Sequence, residues 1–412
     1  MQFPASSRDR GGAPLDRNNF GPRLGIAYKL TNKTVLRTGA GIYYSQSDIP
    51  DQTAAYFRNG PPRQILITDV YPFEMPSRLI FRDGYPTLTM SDKIPLNALV
   101  PVAPDYRAIT YVGQWFFDVQ RDLPGGILFT LGYQGNKTTQ GISNREINNP
   151  WTPHPTIQFE LRRIRPQLAS MNYFYNGENA NYNAMVVKAE KRMGQGLTFL
   201  SAFTWSHTID TRTEQADRWR DTHNTSLERG TSSGDVRLAY TLSALYELPL
   251  GQGKRWMNSG PVKHVVGGWQ VGGLLSLYSG LPNDHTFNVN TQNNGGVVRG
   301  DWVRNPNLPS GQRTIDRWFD TGFVRAGVPG ELTNAGRNLI LGPGNRNLDF
   351  IVTRTFAMPW EGHRLQFRFE SFNFTNTPNF GNPNTAVGTP AAGTITSADD
   401  PRRIQFALKY LF

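Results

Sequence analysis

The chain closes with "RRIQFALKYLF", residues 402–412. Ile404, Phe406, Leu408, Tyr410 and Phe412 are bulky and apolar, and Gln405, Ala407, Lys409 and Leu411 stand between them. Side chains that share a face at every second residue have the period of a β-strand, so this stretch reads as a strand with one apolar face. Chain termini are usually polar and frayed. This one stops on a phenylalanine in the middle of its own pattern.

The alternation recurs upstream. It predicts about eleven strands, near Leu24–Leu30, Thr34–Ser45, Thr110–Asp122, Ile127–Lys137, Asn181–Arg192, Leu197–Thr208, Val236–Leu248, Gly268–Ser279, Leu348–Ala357, Arg364–Phe374 and the terminal stretch. The connections alternate in length. Those after odd strands are short or moderate, such as "TNK" (31–33), "LPGG" (123–126), "MGQG" (193–196) and "MPWEGH" (358–363). Those after even strands are long, roughly 46–109, 138–180, 209–235, 280–347 and 375–401. Loops of that size are uncommon in compact soluble domains. Alternation by itself fits a soluble all-β protein too, but short turns on one side and long loops on the other are the pattern of an outer-membrane barrel. Aromatic residues near the expected strand ends (Tyr43, Tyr44, Trp115, Trp205, Trp256, Trp269, Tyr278, Trp360 and Tyr410) would supply its interfacial girdles. The expected fold is therefore all-β, a transmembrane antiparallel β-barrel with long outer loops and short periplasmic turns.

Composition agrees with strands and turns. Aromatics reach 12% and glycines number 41 in 412 residues. The formal charge of +11 comes from scattered basic residues, with "LRRIRP" (161–166) the densest group, so nucleic acid is not an expected partner. The absence of cysteine excludes disulfides, thiolate metal sites and cysteine nucleophiles. The first residues have no apolar run of the kind a signal peptide carries. The best candidate for a membrane helix, "VVGGWQVGGLLSLYSGL" (265–281), is glycine-rich and alternates as a strand does.

Several stretches resemble the barrel of TonB-dependent outer-membrane receptors: "FGPRLGIAYKLTNKTVLRTGAGIYY" (20–44), "YNAMVVKAEKRM" (182–193), "GLTFLSAFTWSHTID" (196–210) and "GGWQVGGLLSLYSGLP" (267–282). "FRFESFNFTNTPNFGNPN" (367–384) resembles the penultimate strand of the Oar-like branch, in which a carboxypeptidase-regulatory-like module precedes plug and barrel. The ending "IQFALKYLF" resembles the terminal strand read by the barrel-assembly machinery. The resemblance makes Ile404, Phe406, Leu408, Tyr410 and Phe412 an assembly signal and explains the apolar end of the chain. It implies outer-membrane lipid, the assembly machinery, a plug and through it TonB, and an extracellular ligand as partners. It implies no cofactor and no enzymatic activity. Receptors of this family also carry a signal peptide, a TonB box, a plug and 22 strands. The first three are not recognisable in residues 1–412, which are expected to form a single partial barrel domain of about half the strands.

No catalytic or metal motif stands out. The six histidines, His154, His207, His223, His264, His285 and His363, lack ligand spacing. "SHTID" (206–210) puts Ser206, His207 and Asp210 close in sequence, which does not make a triad. "DTRTEQADRWRDTH" (210–223) offers Asp210, Glu214, Asp217 and Asp221 for calcium, or for pairing with Arg212, Arg218 and Arg220. "NVNTQNNGG" (288–296) is either a sugar- or peptide-binding loop or an ordinary flexible one. Two functions stay open: a transport receptor, or a surface-binding, adhesive barrel without transport.

Three structural expectations follow. In the last strand, the five apolar residues should face lipid and Gln405, Ala407 and Lys409 the lumen. Phe412 should matter for assembly. Eleven antiparallel strands should leave the first and last running the same way, so the sheet should stay open, with an odd set of strands missing before Met1.

Overall fold

The computed structural model describes residues 18–44, 98–105, 109–166, 168–194, 196–211 and 219–412. Its frame is one sheet in which eleven strands follow chain order: β1 Arg23–Thr31, β2 Thr34–Tyr44, β3 Tyr111–Leu123, β4 Ile127–Glu146, β5 Leu168–Gly194, β6 Leu197–Asp210, β7 Leu238–Glu247, β8 Trp269–Tyr278, β9 Asn345–Ala357, β10 Arg364–Phe372 and β11 Arg403–Leu411. Every neighbouring pair is antiparallel.

The registers carry one apolar face across the whole sheet. Ile26 stands opposite Thr38, Leu36 opposite Val119 and Val119 opposite Leu131. Val187 meets Phe203, Phe203 meets Tyr240, Leu275 meets Leu242, Val352 meets Phe369 and Phe369 meets Phe406. The opposite face is mainly polar: Arg37 pairs with Asp118, Thr204 lies one residue from Phe203, and Gln405 faces Glu370. A one-residue slip anywhere would move a strand's apolar set to the wrong face, so the pattern specifies the register. Glycine completes the fit where a large ring needs room. Trp115 lies across Gly135, where an added Cβ would come within 2.5 Å of the indole.

The apolar face is not covered by protein. Leu24, Ile26 and Tyr28 are 69%, 54% and 60% exposed, and Phe406 and Leu408 68% and 70%. A soluble protein would not leave so large a contiguous patch in water. The packed core lies elsewhere, in the long loops: Phe319, Phe323, Val324, Ala335, Ile340 and Val387, with Phe287, Trp318 and Leu339 against them.

The sheet is open. β1 pairs with β2 and β11 with β10, and the two edges do not meet. This matches the expectation from strand parity. Two expected loops need correcting. The stretch 138–180 is strand at both ends, 138–146 and 168–180: β4 and β5 run on as a paired ribbon, with register shifts between Thr138 and Ile142. Within 46–109, Ala98–Asp105 forms a strand parallel to the start of β5. Pro101 and Pro104 argue against a strand in the one case, and 138–146 holds a single large apolar residue, Ile142, in the other, although Met171, Tyr173 and Tyr175 do alternate.

Candidate functional site

The connections after β1, β3, β5, β7 and β9 lie on one rim, and all but the one after β7 are short. The described parts of the loops after β4, β6, β8 and β10 leave the other rim and fold onto one another. Three small ribbons tie them: Pro282–Asn283 with Ile340–Leu341, Thr286–Phe287 with Ala386–Val387, and Asp301–Trp302 with Val324–Arg325. The second joins the loop after β8 to the loop after β10.

Charge locks the cluster. Arg299 is 1% exposed and donates from Nε and Nη2 to both oxygens of Asp284, each at 2.8 Å. Its Nη1 reaches Glu228 Oε1 at 3.0 Å, in the loop after β6. Burial works against the guanidinium charge, but the bonds to Asp284 and Glu228 more than offset it and raise its pKa above the ordinary value. Arg220 donates to the carbonyls of Thr333 and Leu227, and Arg337 to Asp210 and to the Glu228 carbonyl. A buried charge is tolerated only when paired and hydrogen-bonded in this way.

In the stretch 288–296, Thr291, Gln292 and Asn294 are buried in the cluster, while Asn288, Val289 and Asn290 stay exposed. Gln292 is fully buried. It accepts from Thr333 Oγ1 and donates to the Val297 carbonyl. Asn294 donates to the Arg220 carbonyl, and Asn293 to the His154 carbonyl. These amides stitch loops together. The acidic stretch 210–223 is divided. Asp210 meets Arg337, and Asp221 accepts from the His223 backbone, while Glu214 and Asp217 lie outside the described residues. Ser206, His207 and Asp210 part ways as well: Ser206 donates to the Val236 carbonyl, and His207 Nδ1 lies 2.9 Å from Asp235. Among the described residues no three His, Asp or Glu side chains converge to hold a metal.

His285 is a buried titratable group that spacing did not mark. It is fully buried, 4.7 Å from the Phe323 ring, and its Nε2 donates to the Arg299 carbonyl at 3.1 Å. Nδ1 is left without a hydrogen-bond partner, 4.0 Å from Asp284. Burial pushes its pKa from the ordinary 6.5 down to about 4, with the Arg299 cation adding to that and Asp284 opposing it. In the unfolded chain the imidazole binds a proton from about pH 6.5 downward, whereas in the fold it does so only near 4. Stability is therefore full above about pH 6.5 and falls as the pH drops toward 4, by about 3 kcal/mol at most. Thermal unfolding of the loop cluster should become steeply acid-sensitive over that window, and His285→Gln should flatten the dependence. A wild-type profile as flat as the variant's would refute it.

Between the cluster and the strand ends lies a cavity of about 900 Å³. Tyr278, Trp302, Trp318 and Phe380 give it flat apolar walls, Arg237, Arg313 and Arg346 give it cations, and Asn305, Asn307 and Asn379 supply amides. Its lining is held in place. Trp318 Nε1 donates to the Leu341 carbonyl at 2.8 Å, Arg313 Nε to the Leu308 carbonyl at 2.7 Å, and the guanidinium lies 5.6 Å from the Trp318 ring centre. Asn307 pairs with the Leu339 carbonyl and the Leu341 amide, at 2.9 and 2.8 Å. The one carboxylate among the described lining residues, Asp235, is engaged by His207 and the Thr208 amide. The cavity as built has aromatic surface and net positive charge.

The family profile of the outer membrane beta barrel domain matches residues 1–405. The chain belongs to this family. As an outer membrane beta barrel domain, it sits in the outer membrane, with the apolar face toward lipid and, by the habit of such barrels, the short turns toward the periplasm. No curated protein sequence matches it. Solved structures with the same fold include the outer membrane transporter YddB from Escherichia coli, at 9% identity and a TM-score of 0.51, over 95% of this chain and 40% of that one. The ferric preacinetobactin receptor BauA from Acinetobacter baumannii matches at 12% identity and 0.44, over 95% and 36%. The ferripyoverdine receptor of the outer membrane of Pseudomonas aeruginosa matches at 9% and 0.45, over 95% and 33%. The chain thus spans about a third to two fifths of the length of these proteins.

Proposed function

We propose that this chain forms wall and outer loops of a TonB-dependent outer-membrane transport receptor. The observation that carries the reading is the open, eleven-stranded sheet with one apolar face, capped at its long-loop rim by a locked loop cluster over an aromatic, basic cavity. A ligand taken in that cavity would present negative charge to the arginines and a flat or apolar part to Trp302 and Trp318. The plug and its TonB contact are supplied by residues other than those described.

Strand direction supports completion by further strands. Eleven antiparallel strands leave β1 and β11 running the same way, so joining them would create a parallel seam. A second copy inserted in the same orientation meets the same obstacle at both seams. An odd number of further strands, eleven if the barrel has 22, restores antiparallel pairing throughout.

The test is cross-linking in intact cells between TonB and the barrel assembled with this chain. A TonB adduct supports transport. Efficient outer-membrane assembly with no adduct favours the surface-binding, adhesive alternative. We propose also that Ile404, Phe406, Leu408, Tyr410 and Phe412 are read by the barrel-assembly machinery. Phe412 is 93% exposed and makes one ring contact, with Tyr410 at 6.0 Å, so its loss should cost the fold little. Deleting it should lower outer-membrane levels several-fold, and unchanged levels in membrane fractions would reduce the terminal pattern to a sheet edge.

A further inference from the structure

One periplasmic-side connection is out of scale. Those after β1, β3 and β5 are two or three residues and that after β9 is 358–363, but the one between β7 and β8 runs over 248–268. It carries Lys254, Arg255, Lys263 and His264 and no acidic residue. It also leaves Trp256, Met257, Val262 and Val265 between 50% and 68% exposed.

The segment has a built conformation. Gly251 has φ +93°, and a Cβ there would come within 2.3 Å of the Gly267 Cα, so its two ends touch. Gly251 N donates to the Trp256 carbonyl at 3.0 Å, and a short helix, α1, covers Val262–Val266.

Its side of the barrel can be read from two residues of the apolar face. Trp269 and Arg354 stand opposite each other on β8 and β9, in phase with Val271 and Val352. Trp269 Nε1 donates to the Val265 carbonyl at 3.2 Å, and Arg354 donates to the carbonyls of Val265 and His264. The end of α1 is therefore held on the lipid-facing side of the rim. Arg121 and Lys191, also in phase with the apolar face, stand at the same rim, where long cationic side chains reach the interface.

We propose that residues 248–268 bind the anionic phospholipid surface at the periplasmic rim. Trp256, Val262 and Val265 enter the acyl boundary, and Arg255 and Lys263 meet headgroup phosphates. Among the described residues neither cation has an ion-pair partner, whereas Lys254 is engaged by Glu247 at 3.0 Å. Exposed apolar side chains beside unpaired cations, continuous with a membrane-facing surface, are what an interfacial anchor needs. The inference rests on the membrane-spanning reading of the sheet.

The lack of cysteine allows a single fluorescent label. Val265→Cys and, as a control on the apolar face, Leu242→Cys are labelled in the assembled barrel reconstituted into vesicles. Brominated phosphatidylglycerol or brominated phosphatidylcholine serves as quencher in the bilayer, and iodide in the water. The label at 265 should be quenched by bromolipid more than by iodide. The anionic lipid should be enriched near it about fivefold per cation. Arg255→Gln with Lys263→Gln should equalise the two lipids. Iodide quenching at 265 with bromolipid quenching at 242 would place the connection in water or against a periplasmic protein and overturn the proposal. Equal quenching by the two lipids before mutation would remove the headgroup recognition. Iodide quenching at 242 would instead overturn the membrane-spanning reading itself.

Discussion

Replacing Arg299 by methionine is expected to unfasten the outer loop cluster while the eleven strands stay paired. The side chain joins the loop after β8, through Asp284, to the loop after β6, through Glu228, and is itself 1% exposed. Methionine fills much of the space but leaves two carboxylates, at 8% and 3% exposure, with no cation between them. Removing one partner of a buried ion pair costs about 3–5 kcal/mol, because the orphaned charge stays desolvated. Hydrogen exchange should show lost protection over 284–299 and around 226–230, with far-UV dichroism of the sheet unchanged. Arg304→Met is the control. Arg304 pairs with Asp320 at the surface, where solvent screens the interaction, and little change is expected. Protection over 284–299 that survives Arg299→Met would show that the apolar core around Phe319 and Phe323 holds the loops alone.

Leu242→Arg should impair membrane assembly far more than Ser243→Arg, one residue away. Leu242 lies between Ser201 and Leu275 on the apolar face in the middle of β7, and Ser243 between Leu200 and Leu274 on the other face. A lipid-facing arginine near the midplane costs about 2–4 kcal/mol, whereas a lumenal one meets water. Leu408→Arg against Ala407→Arg makes the same comparison on β11, where Leu408 pairs with Phe367 and Ala407 with Arg368. Urea stability in vesicles and outer-membrane yield measure both pairs. Equal losses within each pair would refute the face assignment.

All eleven strands were legible in the sequence because period-two alternation is local. Each residue's face follows from its neighbours two positions away. "RIQFALKYL" and "RLQFRFESF" therefore reveal their apolar sides without knowledge of what they pair with. Strand parity is equally local arithmetic, and it anticipated the open sheet. The extension of β4 was missed because 138–146 holds a single large apolar residue, Ile142, and so shows no apolar face; that of β5 does alternate at Met171, Tyr173 and Tyr175 and could have been read. That Gln292 and Asn294 tie loops together was not legible, because an amide's hydrogen-bond partner is not written beside it.

The sequence by itself determined the fold class, the number of strands in the main sheet, the apolar side of each and the rim that carries the long loops. Only the tertiary structure decided how those loops fold. Asn293 finds the His154 carbonyl 139 residues away, Arg299 finds Glu228 71 residues away, and the aromatic walls and arginines of the cavity come from separate loops. A membrane wall imposes a repeating chemistry on every strand that crosses it. The loop cluster is held by single, non-repeating contacts between distant residues, and such contacts leave no periodic trace in the chain.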